Sequence, residues 1–157
     1  MESADLIGTR LKQVQDLLDG GLAELYSDLG LPGFRPRYTP VLKVLEAQDG
    51  QPIRDLATAV GVSHSAMSQT VAQLLRDGLV RSEKGTDARS RIVRLTPAAW
   101  EIMPVLEREW RMTSILAREL EAEMSVPLSR VLDEVLALLD AKPYRQRAAA
   151  ALARIEA

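Results

Sequence analysis

Cysteine is absent from the 157 residues, and histidine occurs once, as His64. Without thiols the chain forms no disulfide, thiolate zinc site or iron–sulfur cluster and senses no oxidant through sulfur. One imidazole leaves little with which to bind zinc or manganese, and the lack of cysteine fits a reducing compartment. Aromatic residues are scarce, at 4%. No apolar run approaches the ~18 residues that a membrane-spanning helix needs, so no membrane partner is expected. The first residues carry Glu2 and Asp5 and no basic stretch followed by a long apolar one. No secretory leader is legible there, and the cytoplasm is the expected location. Also missing are a Gly-x-x-x-x-Gly-Lys phosphate loop, a paired-carboxylate motif and a base placed beside a nucleophile. The expectation is a protein that is not an enzyme, with no cofactor, metal or catalytic residue.

What is present is 46% apolar and 27% charged residues, the composition of a helix-rich globular chain long enough for one packed domain. Net charge is −2, but it is unevenly spread. Residues 32–96 hold 10 Lys/Arg against 6 Asp/Glu, a net +4, and the flanks hold 10 against 16, a net −6. A polyanion would meet the middle of the chain.

Leu6, Ile7, Leu11, Val14, Leu18, Leu22 and Leu25 recur at steps of three and four, which predicts an amphipathic helix over about residues 3–28. Gly20-Gly21 lies inside it. Each glycine costs about 1 kcal/mol relative to alanine in a helix, so a bend or break is expected there. Residues 30–37, with Pro32, Gly33 and Pro36, read as a loop. Thr39-Pro40 reads as a cap followed by proline in the first turn, opening a short helix that Gly50 ends. A second short helix covers about residues 54–60. Gly61 then permits a tight turn, and Ser63 is placed to cap a third helix reaching about Asp77. Two helices joined through a glycine turn suggest helix-turn-helix.

On the third helix Met67, Val71, Leu74 and Leu75 stack toward one side as core. Ser65, Gln69, Ala72, Gln73 and Arg76 fall on the other, with Ser68 near them. That strip holds hydroxyl, amide and cationic groups and no carboxylate, which suits a DNA major groove. A solvated helix face would more often mix Glu with Lys. For His64, a phosphate contact and a partly packed or solvated ring both stay open.

Residues 79–84 and 91–95 flank a turn-rich stretch and predict a two-stranded hairpin. Its tip carries Arg89 and Arg91, suited to a narrow minor groove, with Asp87 able to brace Arg89. Thr96-Pro97 repeats the cap-and-proline start and opens a long helix. Ala99, Met103, Leu106, Trp110, Thr113, Ala117, Leu120 and Met124 form a heptad-like seam along it, with a kink expected at Pro104. A break at Ser125 to Pro127, a further amphipathic helix to about Lys142 and a helical alanine-rich tail complete the chain.

Val62-Ser63 opening a helix, Gly78-Leu79-Val80 closing it, and Asp87-x-Arg89-x-x-x-Val93-x-Leu95-Thr96 together resemble the MarR family of winged helix-turn-helix transcriptional regulators. The resemblance is strongest over residues 38–100, and the Asp-x-Arg to Leu-Thr wing is its specific part. It implies a mainly α fold with a small β-hairpin wing. Residues 38–97 would be the DNA-binding lobe of a single domain, with residues 1–31 and 98–157 as the helical dimerisation region. It also implies a homodimer on a pseudo-palindromic double-stranded DNA operator, with Arg89 in the minor groove and repression as the output. Gln69 stands where many relatives have arginine, so the operator is expected to differ. The residues expected at DNA are Ser63, Ser65, Ser68, Gln69, Gln73, Arg76, Arg89 and Arg91. Tyr26, Phe34, Tyr38, Trp100 and Trp110 are candidates to line a site for a small aromatic or lipophilic effector, with core packing the competing role. The alternative function is a winged-helix module that binds protein and reads no DNA sequence.

Overall fold

The computed structural model describes residues 6–84 and 91–155. The chain divides into two compact units, Met1–Glu107 and Arg108–Ala157.

In the first unit, α1 (Ile7–Asp28) runs unbroken through Gly20-Gly21. The expected bend is absent, because glycine's cost is one of propensity and nothing crowds either position: a Cβ built on each meets no atom within 4 Å. Of α1 only Tyr26 is buried, while Ile7, Leu11, Val14, Leu17 and Leu18 are exposed. A single 3-10 turn, Pro36–Tyr38, leads directly into α2 (Thr39–Ala47). The N-cap is therefore Tyr38 and not Thr39. The Thr39 hydroxyl instead hydrogen-bonds the Tyr26 hydroxyl at 3.0 Å, tying α2 to α1.

A two-residue strand, β1 (Gln51–Pro52), precedes α3 (Ile53–Val60). Gly61 takes φ 75°, a left-handed conformation that few side chains tolerate, and turns the chain out of α3. The Val62 N–H then bonds back to the Ala57 carbonyl at 3.0 Å. This sharp exit sets up α4 (His64–Arg76), whose Met67, Val71 and Leu74 are buried against the unit's core with Leu42, Leu45 and Leu56. Leu75, expected in the core, is exposed. Eight residues beyond Met67 it is turned by about 80° from it at 100° per residue, which carries it past the edge of the buried stripe.

Beyond α4 come β2 (Val80–Lys84) and β3 (Arg91–Leu95), antiparallel with Val80 opposite Leu95 and Lys84 opposite Arg91. The sheet has three strands and not two: β1 adds to the far edge of β3, Gln51 opposite Val93. Two residues, one of them proline, carry no alternation that a sequence reading could detect, and proline is tolerated there because the strand is an edge. α5 (Pro97–Ala122) follows, with the Thr96 hydroxyl accepting from the Ala99 N–H at 3.2 Å and donating to the Gly78 carbonyl at 2.7 Å. One threonine thus caps the helix and fixes the end of the sheet to the turn after α4. Ala99, Met103 and Leu106 of the seam are buried.

The second unit contains the rest of α5, which passes without interruption through Pro104 upstream, then α6 (Leu128–Ala141) and α7 (Tyr144–Ile155). Trp110 is buried, whereas Leu120 and Met124 of the same seam are exposed. No residue of α6 is buried, although Val131, Leu132, Val135, Leu136 and Leu139 give it a strongly amphipathic pattern.

Candidate nucleic-acid interface

The expected reading surface is built on α4. Ser63 has extended backbone (φ −66°, ψ 151°), and its Oγ accepts from the Ala66 N–H at 3.2 Å, so the hydroxyl that caps the helix keeps its own proton free to donate outward. From this start the exposed side of α4 presents Ser65, Gln69, Ala72 and Arg76. No carboxylate lies on α4 at all. Ser68 is half-buried and its Oγ stands 3.4 Å from His64 Nδ1, which turns it partly toward the helix's own first turn. Gln73 is also half-buried, and its Oε1 accepts a hydrogen bond from Arg37 Nη2.

Arg37 was not among the residues expected here. It lies in the 3-10 turn, 36 positions before Gln73 in the chain, and no local pattern connects the two. Only folding of that turn against α4 brings them together.

The cations of the wing separate into two groups. Arg94 donates to Asp49 and to Glu83, each at 3.1 Å, and Arg81 pairs with Glu83 at 3.0 Å. Asp49 also accepts from the Leu95 backbone N–H at 2.9 Å, so this network fastens the loop after α2 to the base of the hairpin. Gly50 makes it fit: a Cβ there would lie 2.5 Å from the Arg94 guanidinium. Arg76 and Arg91 have no ion-pair partner among the described residues and are exposed. With Lys84 on β2 and Arg37 in the 3-10 turn, exposed and likewise without an ion-pair partner among the described residues, they are cations available to an outside anion. Arg89 and its expected brace Asp87 lie outside the described residues.

Of the aromatic candidates, Tyr26, Phe34 and Tyr38 form one cluster. Their ring centroids are 4.6 Å apart for Tyr26 and Phe34 and 5.4 Å for Phe34 and Tyr38, the latter edge to face. Both tyrosines are fully buried. Phe34 and Tyr38 also line a surface pocket of about 520 Å³ with Leu31, Arg35, Leu79 and Ile102. The Tyr38 hydroxyl donates to Asp77 at 2.6 Å. Burial first, then this hydrogen bond and the Asp77 charge, push its pKa above 10.0, with Arg35 and Arg37 pulling the other way. Trp100 is exposed and does not line this pocket, and Trp110 belongs to the second unit. Among the described residues no three metal-binding side chains cluster, and no helix is long and apolar enough to cross a membrane.

Residues 33–90, which span the 3-10 turn, the helix-turn-helix and the first wing strand, match the model of the MarR family. Over these residues the winged helix is similar to the MarR family. Solved structures similar to this chain include the M. tuberculosis transcriptional regulator MOSR in complex with DNA, with TM-score 0.66, 21% identity and coverage of 86% of this chain and 94% of that one. The PcaV regulator from Streptomyces coelicolor, in complex with its natural ligand, matches at TM-score 0.63 and 20% identity over 90% of this chain and 96% of that one. A MarR-family regulator from Silicibacter pomeroyi matches at TM-score 0.55 and 25% identity over 92% and 98%. These likenesses establish the fold, a mainly helical winged helix with a small antiparallel sheet. A search of curated proteins returns no match.

Proposed function

We propose that the chain is a sequence-specific double-stranded DNA-binding transcriptional regulator that works as a homodimer and represses until a small effector releases it. The observation that carries this reading is the exposed, carboxylate-free side of α4, started by a capping serine and ending at Arg76, with Arg91 on β3 a second exposed cation without an ion-pair partner among the described residues. Hydroxyl and amide groups pair with base edges in a major groove, and a strip without acids does not repel the phosphates on either side. Similar proteins solved with DNA support it.

In this reading residues 38–97 form the DNA-binding lobe, and residues 1–31 and 98–157 supply the dimer contacts of one domain. Gln69 and Ser65 face bases, Ser63, Arg76 and Arg91 face phosphates, and Arg89 enters the minor groove. Two recognition helices related by a two-fold axis then read half-sites about 10 bp apart. The apolar residues left exposed on α1 and α6 are the surfaces a second copy covers. The pocket beside Phe34 and Tyr38 is the effector site, because Tyr38 also bonds Asp77 at the end of α4. A ligand seated there acts on the recognition helix through that bond.

The test is selection from a random duplex library at about 0.15 M salt, a physiological ionic strength. Enrichment of a two-fold symmetric site is expected. A pool that stays at input composition overturns the reading in favour of a protein-binding winged helix.

A further inference from the structure

We infer that Arg37 is part of the DNA-reading surface, and that with Gln73 it forms a donor-only site for a hydrogen-bond acceptor of duplex DNA. This rests on the function proposed above and extends it to a residue outside the helix-turn-helix.

Arginine has no acceptor atom, so the hydrogen bond between Arg37 Nη2 and Gln73 can be made only to the amide oxygen. That fixes the amide: Oε1 toward Arg37, the NH2 group away from it. A glutamine that reads adenine does so with both ends, accepting from N6 and donating to N7. At Gln73 the accepting end already holds a guanidinium, and an incoming amino group would be placed beside a positive charge. What the pair still offers is N–H donors from both side chains and one unit of positive charge. Among the described residues no carboxylate lies within ion-pair distance of Arg37 to neutralise it.

The pair is also held in place. Pro36 restricts the backbone just before Arg37. The next residue, Tyr38, is fully buried, with its ring against Phe34 and its hydroxyl on Asp77, the residue that follows α4. Arg37 therefore starts from a backbone anchored to the recognition helix and is itself exposed. A donor pair of this kind takes an acceptor, and duplex DNA offers two sorts at a recognition helix: phosphate oxygens, and base-edge acceptors, of which guanine alone presents two side by side, O6 and N7, to match a pair of donors.

The experiment measures binding of the duplex enriched by the wild-type protein, across a salt series, for wild type, Arg37→Ala, Arg37→Lys and Gln73→Glu, and repeats the selection with Arg37→Ala. Arg37→Ala is expected to weaken binding by about tenfold or more. If the acceptor is phosphate, the loss is uniform over sequences, the salt slope falls by about 1, and Arg37→Lys restores most of the affinity. If it is guanine, Arg37→Ala loses a guanine preference at one position of each half-site and Arg37→Lys does not bring back full discrimination. Gln73→Glu neutralises Arg37 in place and should weaken binding at least as much as Arg37→Ala, which keeps the test valid should that variant fold poorly. Unchanged affinity, salt slope and preference in Arg37→Ala or Gln73→Glu overturns the inference and leaves the regulator reading intact. A wild-type protein that enriches no site overturns both.

Discussion

Removing the Ser63 hydroxyl leaves the Ala66 N–H without its side-chain partner, so Ser63→Ala should cost about 1 kcal/mol, read as a lowered urea midpoint with an unchanged slope. Arg89→Ala and Gln69→Ala should divide the recognition energy between them. The first should weaken all DNA and lower the salt slope, and the second should relax sequence preference at nearly constant slope. Equal effects of both on every duplex would sink that division. Glu46 gives a prediction about pH. Burial, then a hydrogen bond and charge repulsion from Glu107, raise its pKa above the ordinary 4.5, while Lys43 opposes the rise. A raised carboxyl favours folding while protonated, so its contribution is complete below pH 4.5 and is lost as pH climbs through the raised value. Glu46→Gln should therefore flatten the fall in stability over that window, in chemical denaturation followed from pH 4 upward; an unchanged profile would show that the two carboxyls do not share a proton.

Elements differ in how much of their geometry is local. α1 contains two glycines that nothing crowds, and both sit in ordinary helical conformation. Gly20→Ala and Gly21→Ala should each stabilise the protein by about 1 kcal/mol, measured as a raised melting temperature. A loss of stability instead would mean that something packs against these positions in the folded protein and leaves no room for a methyl group. The sheet behaves differently. β1 pairs with β3 next to the point where Asp49 bonds the Leu95 N–H and Arg94. Its pairing partner lies some forty residues away, and Gln51-Pro52 by itself has no strand character.

At the scale of the molecule, the apolar residues of α6 are all outside the core of their unit, and those of α1 nearly all. In the proposed dimer these exposed apolar faces are the ones a second copy covers. Leu17→Glu combined with Leu136→Lys should shift the protein to a monomer in sedimentation equilibrium and abolish high-affinity binding to a two-half-site duplex. A dimer that persists unchanged would place the interface elsewhere.

The helices, the glycine turn, the Ser63 cap, the buried stripe of α4 and the strands of the wing follow from periodicity, capping chemistry and residues with special backbone freedom, all set within a few residues of one another. So does the acid-free strip of α4, since 100° per residue fixes which side chains share a side. Four features were not legible. Leu75 is exposed because the edge of a buried stripe depends on what packs against it. Thr39 spends its hydroxyl on Tyr26 and not on a cap because the 3-10 turn starts the helix a residue early. Arg37 reaches Gln73, and β1 joins β3, only because distant segments are folded together. Short-range sterics and hydrogen bonds are written along the chain; contacts between residues forty apart are decided by the packing of the core that joins them.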